Sequence, residues 1–229
     1  YLLLVPLTLG YLNAYEYGVW LTLNSILGWI NSFDIGLGNG LRNKLAEAIA
    51  RNDNMDAKKY VSTTFFMLII IALIILIVGS IIINIVNWND LLNLQYNSIN
   101  NIKEIIYVSF CFFCLNFVFK FIGNIYQAMQ VPSAMYIMNF CAHCLALFVI
   151  YILTKTLSSS LFLIALVYSA APPLIYLIAY PITFRYIFKN YAPSIKHFDI
   201  SAVKELFNLS IVFFLLQIAG LILFSLTNL

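Results

Sequence analysis

In 229 residues, 63% of them hydrophobic and only 9% charged, with a net charge of +3 and a mean hydropathy of +0.94, this chain cannot cover a water-facing surface, which takes about a quarter of its residues charged. A soluble globular domain is excluded, and so is a nucleic-acid binder, because the basic residues sit in two loops and not along a groove interleaved with aromatics. The composition is that of an all-α polytopic membrane protein.

Residues 1 to 11 read as the second half of a helix, followed by a tight turn at Asn13-Ala-Tyr-Glu-Tyr-Gly18. There is no initiator Met and no basic stretch ahead of the apolar run, so no signal peptide is expected, and the chain reads as a fragment. The next apolar segment, 19 to 38, sets Asn24, Gly28 and Asn31 on one face, with Asp34 slightly aside near its end. Asp34 is either an interfacial residue or a cavity carboxylate.

Gly36-Leu-Gly38-Asn-Gly40 has neither the spacing nor the preceding strand of a dinucleotide loop and reads as a helix end. Its functional alternative is a set of flexible amides which, beside Arg42 and Lys44, hold a lipid phosphate. From 41 to 51, Leu41, Leu45, Ala48 and Ile49 oppose Arg42, Lys44 and Arg51, the pattern of an amphipathic helix lying on the inner membrane surface. A third apolar segment runs from 60 to 86.

The segment 105 to 129 carries the most informative residue. Lys120 lies inside it, and a charge at mid-bilayer costs about 2.5 to 3.5 kcal/mol even on insertion scales. Asn116, Lys120, Asn124 and Gln127 recur at helical spacing, which stacks them as one polar stripe facing protein or water. Snorkelling of Lys120 to the nearer headgroups is opposed by the lean of helical side chains toward the N-terminus.

Cys111-Phe-Phe-Cys114 and Cys141-Ala-His-Cys144 repeat a CxxC spacing, but inside apolar helices, where thiols act as small hydrophobes; packing, and no metal, is expected. In segment 133 to 154, Asn139 and His143 form a weaker stripe, either for packing or for lining a cavity. Segment 160 to 187 contains Pro172, Pro173 and Pro181, which imply a kink or a discontinuous helix. The kink is either plain membrane-helix geometry or a device that turns Tyr168, Tyr176 and Tyr180 into an aromatic face suited to sugars. A last helix runs from 206 to 229, making seven predicted helices, the first incomplete.

The loops around 42–59 and 185–204 hold nine Lys and Arg, while the alternate loops hold only Lys103 and Lys155. The basic loops are therefore expected in the cytoplasm. Tyr15, Tyr17, Trp20 and Trp88 then fall at the outer boundary as an aromatic belt.

Glu16-Tyr-Gly-Val-Trp20, the run from Phe33 through Gly36-Leu-Gly-Asn-Gly-Leu-Arg-Asn-Lys-Leu-Ala-Glu-Ala48, and the turn Tyr126-Gln-Ala-Met-Gln-Val-Pro132 resemble bacterial polysaccharide exporters of the Wzx type. These belong to the multidrug/oligosaccharidyl-lipid/polysaccharide superfamily, with relatives among the MATE antiporters. The resemblance implies a MATE-like lobe of six transmembrane helices at 1–187, a cytoplasmic linker at 188–205 and the first helix of an incomplete second lobe at 206–229. It implies a flippase of the bacterial inner membrane that moves undecaprenyl-pyrophosphate-linked oligosaccharide units for O-antigen or capsule. The partners are then the lipid-linked oligosaccharide, membrane lipids and other polysaccharide assembly proteins, without a cofactor.

A cation exporter of MATE type is the competing transport reading; it wants cavity carboxylates, for which Asp34 is the candidate. A membrane-embedded transferase would need a His, Asp or Glu cluster, and the chain offers scattered single residues. A helical scaffold would leave Lys120 unexplained.

Overall fold

The computed structural model describes residues 3–32, 36–92, 94, 99 and 101–227, and the regular structure among them is entirely helical. In chain order the helices are α1 (Leu4–Tyr11), α2 (Ala14–Ser32), α3 (Leu37–Ala50), α4 (Asn54–Ile85), α5 (Trp88–Leu91), α6 (Ile102–Phe119), α7 (Phe121–Ala128), α8 (Pro132–Thr156), α9 (Leu161–Ile182) and α10 (Ile200–Thr227). A π turn (Thr183–Ile187) extends α9, and two short 3-10 turns follow before α10. Among the described residues, four stretches are long and apolar enough to cross a bilayer: α4, α6 with α7, α8, and α9 with its π turn. They coincide with the predicted segments 60–86, 105–129, 133–154 and 160–187. Ile70, Leu73, Ile77 and Ile81 on α4 and Phe140 and Phe148 on α8 stay exposed, an arrangement suited to lipid and not to water.

The core has two parts. One gathers Leu37, Leu41 and Leu45 of α3, Phe117 of α6, Phe121 and Ile125 of α7 and Leu206 of α10. The other gathers Leu4, Trp20, Ile105, Phe113, Ile150 and Ile164 from α1, α2, α6, α8 and α9. They adjoin along α6 between Cys114 and Phe117, and Asn116 sits at that junction.

Several local expectations are corrected. The turn before α2 is shorter than predicted, because Asn13 and Glu16 form a capping box. Asn13 Oδ1 accepts from the Glu16 amide at 2.8 Å, Glu16 Oε2 accepts from the Asn13 amide at 3.3 Å, and α2 starts at Ala14. The glycine run does not end a helix but starts α3: Gly36 is its N-cap at φ 69°, a conformation disfavoured for residues with a Cβ.

Nor does the apolar face of α3 meet lipid. Leu41, Leu45 and Ala48 are fully buried, because its apolar face packs on α4, α7 and α10 instead of on lipid. Trp20 is likewise buried in the core against Tyr168, with ring centroids 5.4 Å apart, and not in an interfacial belt. Finally, of the two readings of Pro172, Pro173 and Pro181 the discontinuous helix is not seen, since α9 runs continuously through all three. The irregularity falls after Pro181, where the Phe188 amide reaches back to the Thr183 carbonyl at 2.7 Å.

The segment before α10 is tied to α4. Ser62 Oγ accepts from the Ser194 amide at 3.1 Å, and Thr63 Oγ1 accepts from the Asp199 amide at 3.2 Å. Asp199 in turn caps α10 by accepting from the Ser201 amide at 2.8 Å, and hydrogen bonding from the Ser201 side chain, with that amide beside it, holds its carboxyl below the usual carboxylate range. On the same face Glu205 accepts from Tyr60 Oη at 2.7 Å and pairs with Lys44 at 3.5 Å, joining α3, α4 and α10.

Candidate functional site

The polar stripe keeps its predicted face, but the helix carrying it is interrupted at its charge. α6 ends at Phe119 and α7 begins at Phe121. Between them the Gly123 amide bonds the Lys120 carbonyl at 2.9 Å, an i→i+3 bond that tightens the turn. Lys120 is half-buried, with its ammonium 5.5 Å from the ring centroid of Phe117, a distance at which the ring face attracts the cation.

Toward one end the stripe meets α3. A Cβ on Gly38 would run into the side chain of Asn124, so the glycine lets α3 and α7 approach closely. One turn on, Arg42 Nη1 donates to Gln127 Oε1 at 3.3 Å, and Gln127 Nε2 reaches the sulfur of Met135 on α8 at 2.9 Å. The fold thus adds a guanidinium to the stripe. Lys44 is directed elsewhere, pairing with Glu47 at 3.4 Å and with Glu205.

Toward the other end the stripe opens into a polar cleft of about 130 Å³ between α2, α6 and α9. Asn24 and Gly28 line it from α2, Ser109 and Asn116 from α6, and Tyr168, Ser169 and Pro172 from α9. Ser109 Oγ and Asn116 Oδ1 are buried with no hydrogen-bond partner, an arrangement that costs about 1–3 kcal/mol per group. Thr8 donates to the Leu4 carbonyl at 2.7 Å, so at 2.9 Å it accepts from Tyr168 Oη, which links α1 to the cleft wall. Pro172 and Pro173 carry no amide hydrogen, so the carbonyls of Tyr168 and Ser169 at the cleft have no i+4 amide to receive. The lining is therefore rich in hydroxyl, amide and carbonyl groups.

Of the remaining predicted residues, Asn139 and His143 lie on α8 and do not line the cleft. Asn139 Oδ1 accepts from Tyr176 Oη at 3.1 Å, and its carbonyl accepts from His143 Nδ1 at 2.6 Å. The three tyrosines of α9 do not form one face: Tyr168 is at the cleft, Tyr176 turns to α8, and Tyr180 stacks among Phe65, Phe119 and Phe184. Asp34 and the side chain of Asn31 lie outside the described residues. Cys111 and Cys114 line a groove with Phe65, Ile69 and Leu73 of α4, while Cys141 and Cys144 are exposed on α8. Among the described residues no three His, Cys, Asp or Glu side chains converge as metal ligands.

Sequence reasoning missed Ser109, although it lies seven residues before Asn116 and so extends the same stripe by two turns. Ser169 and Thr8 carried no such signal, since their contribution depends on how α9 and α1 pack against α6.

Residues 1–152 match the family model MatE. No curated protein and no solved structure matches the chain. With an apolar helical bundle that holds a polar, cationic stripe at its centre and a family match over most of its length, the chain belongs to the MatE family, membrane exporters and flippases of the multidrug/oligosaccharidyl-lipid/polysaccharide superfamily.

Proposed function

We propose that the protein translocates lipid-linked oligosaccharides, with the pyrophosphate of an undecaprenyl carrier passing Lys120. The observation that carries this reading is the charge of the stripe: Lys120 at its centre and Arg42 hydrogen-bonded to its end at Gln127. A pyrophosphate leaving water loses strong hydration, and an ammonium flanked by amide donors offsets part of that cost. An exporter of organic cations would want carboxylates where these cations stand. The neutral cleft of Asn24, Ser109, Asn116 and Tyr168 offers donors and acceptors suited to sugar hydroxyls or phosphoester oxygens.

In this reading residues 1–187 are a six-helix lobe, the cytoplasmic linker expected at 188–205 ends at 199, since α10 begins at Ile200, and α10 is the first helix of a second lobe. The basic faces of α3 and the 185–204 region are cytoplasmic, and the protein resides in a bacterial inner membrane. It moves its substrate without transforming it.

The test is surface polysaccharide, at matched expression, in cells carrying Lys120→Arg, Lys120→Gln and Lys120→Leu variants of the full-length protein. Arg is expected to keep part of the activity and Gln and Leu to lose most of it. Wild-type export by Lys120→Leu refutes the assignment.

A further inference from the structure

Beside the polar cleft lies a larger cavity of opposite character. It measures about 380 Å³ and is walled by Leu23, Ile26 and Leu27 of α2 and by Ile74, Val78 and Ile82 of α4. Phe110 of α6 forms its floor: a Cβ on Gly79 would strike the Phe110 ring, so α4 rides close on α6 at that point. Among the described residues α2 packs on α6 and α9 but hardly touches α4, which leaves the groove between them. Ile26, Val78 and Ile82 are 40%, 50% and 48% exposed and form its rims.

An apolar groove in a membrane protein is not by itself a site. This one shares Leu27 and Ser109 with the polar cleft. Ser109 lines both spaces, is 1% exposed, and its buried hydroxyl has no partner. A simple packing gap between apolar helices has no use for a desolvated hydroxyl at its inner end. An amphiphile with an oxygen at the end of its hydrocarbon chain does.

We infer that the groove holds the polyprenyl chain of the lipid-linked substrate, with the phosphate end at Ser109 and the chain leaving between α2 and α4 toward the bilayer. This rests on the function proposed above. Depth selects this occupant over a resident phospholipid. Ser109 is seven residues inside the Ile102 end of α6, about 10 Å at 1.5 Å per residue. A bilayer phospholipid keeps its polar head at the interface, whereas a lipid in translocation carries its head through this depth. The stripe runs from Lys120 through Asn116 to Ser109, so a head entering from the cytoplasmic side meets the cation first and then the neutral donors.

The experiment uses the full-length protein in phosphatidylethanolamine and phosphatidylglycerol vesicles with a polyprenyl phosphate bearing a photoreactive diazirine on its chain. Label is expected on peptides containing residues 74–83 and 106–110. Val78→Trp and, independently, Ile82→Trp fill the groove and are expected to cut that label about tenfold. Ile77→Trp, on an exposed position of α4 outside the groove, is expected to leave it intact. Unlabelled polyprenyl phosphate is expected to compete, and added phosphatidylglycerol is not. Ser109→Val is expected to lower capture of the phosphate probe but not of the same chain ending in hydrocarbon.

Label that survives both tryptophans, or equal competition by phosphatidylglycerol, overturns the proposal. Oligosaccharide translocation is measured in the same vesicles. Translocation indifferent to both tryptophans, without capture in the groove, refutes the groove and leaves the function standing. Capture in the groove by a protein that translocates no lipid-linked oligosaccharide refutes the function.

Discussion

Three glycines within five residues show how much a single hydrogen in place of a methyl can decide. Gly36 and Gly40 abut α10: a Cβ on Gly36 would meet the Ser210 carbonyl, and one on Gly40 would lie 2.6 Å from Ser210 Oγ and 3.1 Å from the Leu206 carbonyl. Gly38, on the opposite side of α3, abuts the Asn124 side chain. The consequences of adding a methyl should therefore differ. Gly40→Ala presses on the Ser210 hydroxyl and also on the Leu206 carbonyl, a backbone group that cannot rotate away, and is expected to destabilise the protein by about 1–3 kcal/mol, visible as a lower melting temperature in detergent. Gly38→Ala presses on a side chain that can change rotamer. It is expected to leave the melting temperature nearly unchanged while lowering transport, because Asn124 is turned out of the stripe. A larger thermal loss for Gly38→Ala than for Gly40→Ala is the result that contradicts this account.

At the scale of elements, the contact of α10 with α3 and α4 depends on polar groups as well as on Leu206. Tyr60, Glu205 and Lys44 form one connected set. The hydrogen bond from Tyr60 to the Glu205 carboxylate is short and partly buried, so Tyr60→Phe is expected to cost about 1.5–3 kcal/mol as a bond to a charged group. The Lys44 pair is longer, and its side chains are 25% and 46% exposed, so Lys44→Met is expected to cost less than about 1 kcal/mol and to depend on salt. Thermal unfolding of the two variants in low and high salt measures both. If Lys44→Met proves the more damaging, charge and not the tyrosine bond holds α10 in place.

For the whole molecule, the distribution of basic residues and the four bilayer-length stretches make a single orientation the expectation. The packing role expected of the cysteines holds for Cys114, which is buried against α4, and in part for Cys111 beside it; Cys141 and Cys144 are exposed on α8 and do not pack in the core. Replacement of all four by Ala is expected to leave transport within a few-fold, and no stoichiometric zinc should purify with the protein. That background then permits accessibility labelling of single cysteines in intact cells. Arg51→Cys and Lys189→Cys are expected to be protected and Ser158→Cys to be labelled. Outside labelling at position 51 contradicts the orientation, and with it the path drawn for the substrate.

The all-helical membrane class, four of the spans and the face of the Asn116–Gln127 stripe were all legible from composition and periodicity, because they depend on residues near one another in sequence. A stripe at helical spacing needs no knowledge of what it faces. The capping box at Asn13 and Glu16 and the extension of the stripe to Ser109 were equally local and were available to the same reasoning. What the sequence could not decide was which surface each apolar or polar face would meet. The hydrophobic side of α3 is compatible with lipid or with protein, and only the packing of α4, α7 and α10 around it buries Leu41 and Leu45. Arg42 reads as a cation on the polar face of a surface helix, there to hold a lipid phosphate, until Gly38 lets α3 approach Asn124 and sets the guanidinium on Gln127. The cleft draws Asn24, Asn116 and Tyr168 from three helices separated by many residues. Their convergence is a property of how the helices cross, and no period within a single helix encodes it.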